Sequence, residues 1–171
     1  VPQNSSLINQ TAMTLDEQGN PYIASYWDNN GVPQYKVVYL AEGKWNLINT
    51  NFHVNSFSLG GGGTKRIPIS RPEILVNKSM LYLLFRDEER DNKITLGYTN
   101  LEKKQWELQD ISRFTVGQWE PNFDKELWKE KKQLHIFSQN VSQADGEGLA
   151  KVDPQPVQVL ELKKVPVLQA E

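Results

Sequence analysis

A four-beat pattern recurs along this chain and limits what it can fold into. Short runs rich in β-branched and aromatic residues are separated by clusters of Gly, Asn, Asp and Lys, the signature of strands joined by turns. The first copy reads Thr11 to Asp16, Pro21 to Trp27, Gln34 to Leu40 and Lys44 to Ile48. The second reads Arg71 to Val76, Met80 to Arg86, Lys93 to Thr99 and Gln105 to Gln109. The fourth beat repeats almost literally, as Lys44-Trp45-Asn46-Leu47 and Gln105-Trp106-Glu107-Leu108. A third, looser copy reads Glu120 to Trp128, Gln133 to Ser138, a third strand near Gly148 to Val152, and Val157 to Leu162. The period is about 55 to 60 residues. Helical periodicity is weak throughout, so the expectation is all-β.

Four antiparallel strands per repeat, joined by short turns, is how a β-propeller blade is written. The expected fold is therefore about three blades, over residues 5–50, 70–112 and 119–163, with a tail over 164–171. A propeller closes with about four to eight blades. Three blades do not close a ring, so the missing ones are expected elsewhere in the same gene product, with a ring assembled from copies of this chain as the alternative.

The bulk numbers remove several function classes. Charged residues make up 23% and the formal net charge is -2. That balance supplies no electrostatic drive toward nucleic acid or an anionic membrane. No apolar run approaches the roughly 18 residues of a membrane helix. With no cysteine, disulfides and thiolate metal sites are excluded. Two histidines, His53 and His135, make no metal constellation by themselves and no Ser-His-Asp arrangement.

Loop lengths point to one rim. The connections Glu17 to Asn20, Ala41 to Gly43, Asn77 to Ser79 and Leu101 to Lys104 are short. Those expected on the opposite rim are longer: Asp28 to Pro33, Asn49 to Ser70, Asp87 to Asn92, Asp110 to Trp119 and Gln139 to Glu147. Long loops on a rigid scaffold carry function more often than short ones. Gln10, Arg71 and Glu120 stand at or just before the first strand of each copy, at the mouth of the expected channel. They read either as ligand contacts or as partners of one another. Gly60 to Gly63, followed by Thr64-Lys65-Arg66-Ile67-Pro68, reads as a shaped basic loop or as a linker. Arg66 and Arg71 could each grip a carboxylate or sulfate with a bidentate guanidinium. Tyr35 is expected at the start of a third strand on this rim, as a wall of the site or an acid/base group. Tyr26 and Trp27 are expected beside it as a stacking surface.

Gln10-Thr11, Ile23 to Trp27, Pro33-Gln34-Tyr35 and the stretch Gly61 to Pro72 resemble the BNR-repeat propeller polysaccharide lyases, the group of ulvan lyases and rhamnose–glucuronate lyases. The resemblance implies a propeller of about seven blades, secreted or periplasmic, of which this chain would be the C-terminal part, partnered by about four N-terminal blades of the same protein. It implies cleavage of rhamnose–uronate linkages in an anionic polysaccharide by β-elimination. Such chemistry needs a cation beside the uronate carboxylate and a proton-transfer group. The resemblance assigns Tyr35 to the second role, and Arg66 and Arg71 are the cations available for the first without a family match of their own. Gln10, Tyr26, Trp27 and Glu120 are expected as substrate contacts from their places on the rim. The chemistry requires no cofactor. His53 falls where similar lyases hold a structural zinc, whose cysteine ligands have no counterpart here. A sialidase-like hydrolase and a noncatalytic glycan-binding propeller are the rival readings.

Overall fold

The computed structural model describes residues 11–60, 65–103, 105–146, 148 and 150–168. Within them the chain is built from three antiparallel sheets. Sheet 1 comprises β1 (Ala12–Leu15), β2 (Pro21–Asn29), β3 (Val32–Ala41) and β4 (Lys44–Asn49), in the spatial order β1-β2-β3-β4. Sheet 2 repeats that plan with β5 (Glu73–Asn77), β6 (Met80–Asp87), β7 (Lys93–Asn100) and β8 (Trp106–Asp110). The expected register holds. Trp45 lies opposite Leu40 and Trp106 opposite Thr99, each one residue inside the end of a third strand.

Sheet 3 departs from the repeat. It contains β9 (Asn122–Phe123), β10 (Leu134–Ser138) and β11 (Gln158–Leu162), in the order β11-β10-β9. The strand expected from Glu120 to Trp128 is two residues of β9 followed by α1 (Lys125–Lys131). The reason is local. Asp124 caps the helix by accepting from the Leu127 amide at 2.9 Å, and Lys132 closes it in the left-handed region at φ 54. Between these caps run Lys, Glu, Leu and Trp, all adequate helix formers. At two turns the helix is an insertion within the repeat, too short to break it. Among the described residues of 148–152 no strand forms, and β11 takes the third position, beside β10.

Two apolar layers join the sheets. Tyr22, Ala24, Tyr26, Tyr35, Val37 and Ile48 of sheet 1 meet Ile74, Val76, Leu81, Leu83 and Phe85 of sheet 2. The other face of sheet 2, with Leu75, Tyr82, Leu84, Ile94 and Leu96, meets Phe123, Trp128, Leu134 and Ile136. Strand β6 is therefore buried along its whole length. Period-2 alternation sends successive side chains into the two layers.

The loop pattern needs two corrections. The connection expected from Asp28 to Pro33 is a two-residue hairpin at Asn30 and Gly31, with φ 59 and 90. Asn-Gly is the pair that tolerates two successive positive φ values, so the strands run on to Asn29 and from Val32. Asp87 to Asn92 is a 3-10 turn over Glu88–Arg90, capped by Asp87 and closed by Asp91 at φ 56. The connections from β4 to β5 and from β8 to β9 do run long and irregular.

Candidate functional site

The first strands of the three sheets begin close together. Thr11 and Ala12, then Arg71, Pro72 and Glu73, then Glu120, Pro121 and Asn122 line an open cleft of about 240 Å³. Proline at the second position of two of these lead-ins fixes φ and holds the preceding residue extended. That turns Arg71 and Glu120 toward each other. The Arg71 backbone N–H donates to Glu120 Oε2 at 2.6 Å, and Arg71 Nε reaches the same oxygen at 3.3 Å. Both side chains remain partly open to solvent. An exposed, single-oxygen ion pair of this kind contributes at most about 1 kcal/mol, so a competing carboxylate can displace it at little cost.

Arg66 lies elsewhere on the exposed surface, its backbone N–H donating to Asp145 Oδ1 at 2.8 Å. Gln10 and the glycines and threonine of Gly61 to Thr64 lie outside the described residues.

Tyr35 corrects the sequence reading. Its side chain is fully buried between sheets 1 and 2, and its hydroxyl donates to the Ser70 carbonyl at 2.7 Å. The aromatic rings of Tyr26, Phe52 and Phe85 surround it. Burial, then the nearby Asp87 carboxylate, push its hydroxyl well above the ordinary tyrosine range. The hydrogen bond to Ser70 and the charge of Arg86 pull the other way and lose. A group so placed neither meets solvent nor ionises. The phase of the strand explains the outcome: with β3 starting at Val32, Tyr35 pairs with Tyr26 on the face that sheet 2 covers. Tyr26 is buried in the same layer, so it offers no open stacking surface. Trp27 is also buried, on the opposite face, with Lys36 Nζ 5.1 Å from its ring centroid.

Two clusters beneath the rim escaped the sequence reading. Arg86 is buried and clamps the lead-in to β5. Its Nη1 donates to the Pro68 carbonyl at 2.8 Å and to Asn92 Oδ1 at 3.0 Å, while its backbone N–H donates to Ser70 Oγ at 2.8 Å. Burial lowers the guanidinium's affinity for its proton, and the surrounding acidic groups and Tyr35 oppose that. An arginine at the end of a strand, just before the three acidic residues Asp87, Glu88 and Glu89, was the available signal.

The second cluster forms around His53. Its Nδ1 lies 3.0 Å from both oxygens of Asp87, and its Nε2 lies 3.5 Å from Glu89 Oε1. Gln34 brackets its backbone from β3, accepting from the His53 N–H and donating to its carbonyl. Glu89 accepts from the Val54 and Asn55 amides and from the Asn55 side chain. Burial alone would depress the imidazole. The hydrogen bond and charge of Asp87, then the charge of Glu89, hold it above its ordinary value instead. His53, Asp87 and Glu89 bring one potential ligand atom each within 4.8 Å of one another. The thiolates of the zinc site implied by resemblance are absent, and Asp87 and Glu89 already accept from His53, Glu89 N, Val54 and Asn55. The donor set fits an imidazolium between two carboxylates, and it does not fit that zinc.

Residues 1–52, which contain sheet 1, match the family described as "BNR repeat-containing family member". No curated protein matches the chain. With the four-stranded antiparallel sheets in place, that match supports a BNR-repeat protein.

Proposed function

We propose that this chain contributes a noncatalytic binding surface for an anionic saccharide, as part of a BNR-repeat β-propeller. The supporting observation is the Arg71–Glu120 pair at the shared start of three sheets. There a guanidinium is held to one oxygen of an exposed partner within an open cleft. A uronate carboxylate would exchange for Glu120 and take the guanidinium in a charge-assisted pair. Asn122 and Glu73 line the same cleft and offer hydrogen-bonding groups for sugar hydroxyls.

Binding is preferred to β-elimination because Tyr35, the proton-transfer group that elimination would use here, is committed to Ser70 in the core. Among the described residues His53 is likewise buried and paired with Asp87, so it offers no open base.

The test is calorimetric titration of the chain with acidic rhamnose–uronate oligosaccharides and with their carboxyl-reduced forms. Arg71→Ala should weaken binding of the acidic form by roughly ten- to a hundredfold, the worth of a charged hydrogen bond. It should leave the reduced form unaffected. Glu120→Gln should tighten the acidic form by freeing Arg71. Equal affinity of the chain and Arg71→Ala for the acidic form overturns the reading. A rise in absorbance near about 235 nm during the titration, from an unsaturated uronate, would assign β-elimination instead.

A further inference from the structure

Beside sheet 3 lies a second cleft, and its chemistry is unlike that around Arg71. It measures about 180 Å³ and sits between the β8–β9 connection, the end of β10 and the start of β11. Among the described residues none that lines it is charged, in a chain where 23% of residues are. Four carboxamides, those of Gln139, Asn140, Gln155 and Gln158, stand around it together with Phe114. The Phe114 side chain is 40% exposed. Ser138 lines the cleft too, and its buried hydroxyl has no hydrogen-bond partner among the described residues. A buried hydroxyl left unpaired is uncommon and costly. The surrounding backbone is held in place. The Gln118 N–H donates to the Val141 carbonyl at 2.8 Å and the Val141 N–H to the Val116 carbonyl at 3.1 Å. These bonds tie the β8–β9 connection to the segment after β10. Gly117 permits the approach: it holds φ 58, and a Cβ there would collide with the Val141 carbonyl oxygen. Ser112 Oγ donates to the Phe114 carbonyl at 2.8 Å, and Gln139 Nε2 donates to the Gln155 carbonyl at 2.7 Å.

We propose that this cleft holds a single neutral pyranose ring. A carboxamide presents donor and acceptor side by side, which is what neighbouring sugar hydroxyls ask for. A partly open aromatic ring gives the C–H face of the sugar an apolar surface to lie on. A sugar hydroxyl seated in the cleft would supply the partner that Ser138 lacks. A uronate or sulfate would shed hydration there and meet no cation in return. Clefts that take drug-sized ligands run from about 300 to 1,000 Å³, so this one suits one ring rather than several. It shares no lining residue with the Arg71–Glu120 cleft, and the proposal does not depend on the reading of that site.

The test is an NMR titration of the nitrogen-labelled 171-residue chain with the methyl glycosides of glucose, galactose and mannose, each paired with its uronate form. At least one neutral glycoside should move the side-chain amide signals of Gln139, Asn140, Gln155 and Gln158 saturably, with an affinity in the millimolar range usual for a single small ligand group. Its uronate form should bind more weakly by roughly tenfold or more. Phe114→Ala should weaken the neutral glycoside by a similar factor, and Asn140→Ala, at another exposed position, repeats the test if the first variant disturbs the backbone spectrum. Arg71→Ala should leave the neutral affinity unchanged, so the two clefts are read separately. Absence of a saturable shift with every neutral glycoside overturns the proposal. Uronate forms that bind as tightly as their neutral partners overturn it, and so does a neutral affinity that survives both Phe114→Ala and Asn140→Ala.

Discussion

The carboxylates of Asp87, at the end of β6, and of Glu89, in the 3-10 turn after it, favour the protonated form of His53, and that gives the fold a defined pH signature. A basic group whose affinity for its proton rises on folding stabilises the protein below its unfolded pKa, and the contribution fades as pH climbs through the folded value. His53 is raised from 6.5. Its contribution should therefore be complete below 6.5 and decline as pH climbs through the raised folded value. Glu89 runs the other way. Burial opposes its charge, but the Asn55 and Val54 amides and His53 hold its carboxyl below 4.5. Its contribution is present above that value and lost as pH falls through the folded one. The expected outcome is that His53→Asn destabilises most at mildly acidic pH, with the gap to the parent narrowing as pH rises. Denaturant unfolding across pH measures this, and a gap that stays constant would remove His53 from the account. Tyr35 offers a second residue-scale prediction. Tyr35→Phe removes one buried hydrogen bond and leaves the Ser70 carbonyl with one fewer donor. Unfolding free energy should drop by about 1 to 2 kcal/mol, and saccharide affinity should stay the same.

Among the elements, β7 shows most clearly how the long β4–β5 connection is seated. Phe52, just past β4, lays its ring over Gly97 in the middle of that strand. A Cβ at Gly97 would come within 2.9 Å of the Phe52 ring and 3.1 Å of Leu108. The ring cannot give way easily, since it stacks on Phe85 and abuts Trp106 edge-on, both at 5.2 Å. Gly97→Ala should cost about 1 to 3 kcal/mol through overpacking. Phe52→Leu in the same chain should return part of that loss, and strictly additive costs in the double mutant would show that the two positions do not meet. The repeat of Lys44-Trp45-Asn46-Leu47 and Gln105-Trp106-Glu107-Leu108 was enough to place sheets 1 and 2 and their register. It misled at sheet 3, where the expectation of a strand overrode the Asp124 cap and the helix-forming residues after it. A loop from Asp28 to Pro33 that includes Asn30-Gly31 puts Tyr35 at the very start of a strand on the rim, where the hairpin puts it inside β3. Shortening that loop to a hairpin extends β2 and β3 and fixes which face each residue occupies. The pairing of Arg71 with Glu120 was legible as one of two alternatives, because both precede a proline at the same point of the repeat. The Arg86 clamp and the His53 cluster were not legible. Each rests on contacts between residues 16 to 36 positions apart, through a connection without periodicity.

At the scale of the whole molecule, the two fourth-strand tryptophans give a direct measure of which sheet faces are covered. They share a register position but differ in surroundings, Trp45 being exposed and Trp106 packed against Phe52 and the layer between sheets 1 and 2. In the 171-residue chain, Trp106→Ala should destabilise by about 3 to 5 kcal/mol, in the range for large core truncations. Trp45→Ala should stay within about 0.5 kcal/mol, as at ordinary surface sites. Comparable losses at the two positions would mean that the Trp45 face is covered after all. Among the described residues sheet 2 alone is covered on both faces, and β6 is buried from end to end. Stacked sheets exchange energy chiefly with their neighbours, so the flanking sheets each lean on one interface while the middle one leans on two. Heat or denaturant should accordingly dismantle the chain from its flanks inward, with sheets 1 and 3 loosening while β6 still protects its amides from exchange.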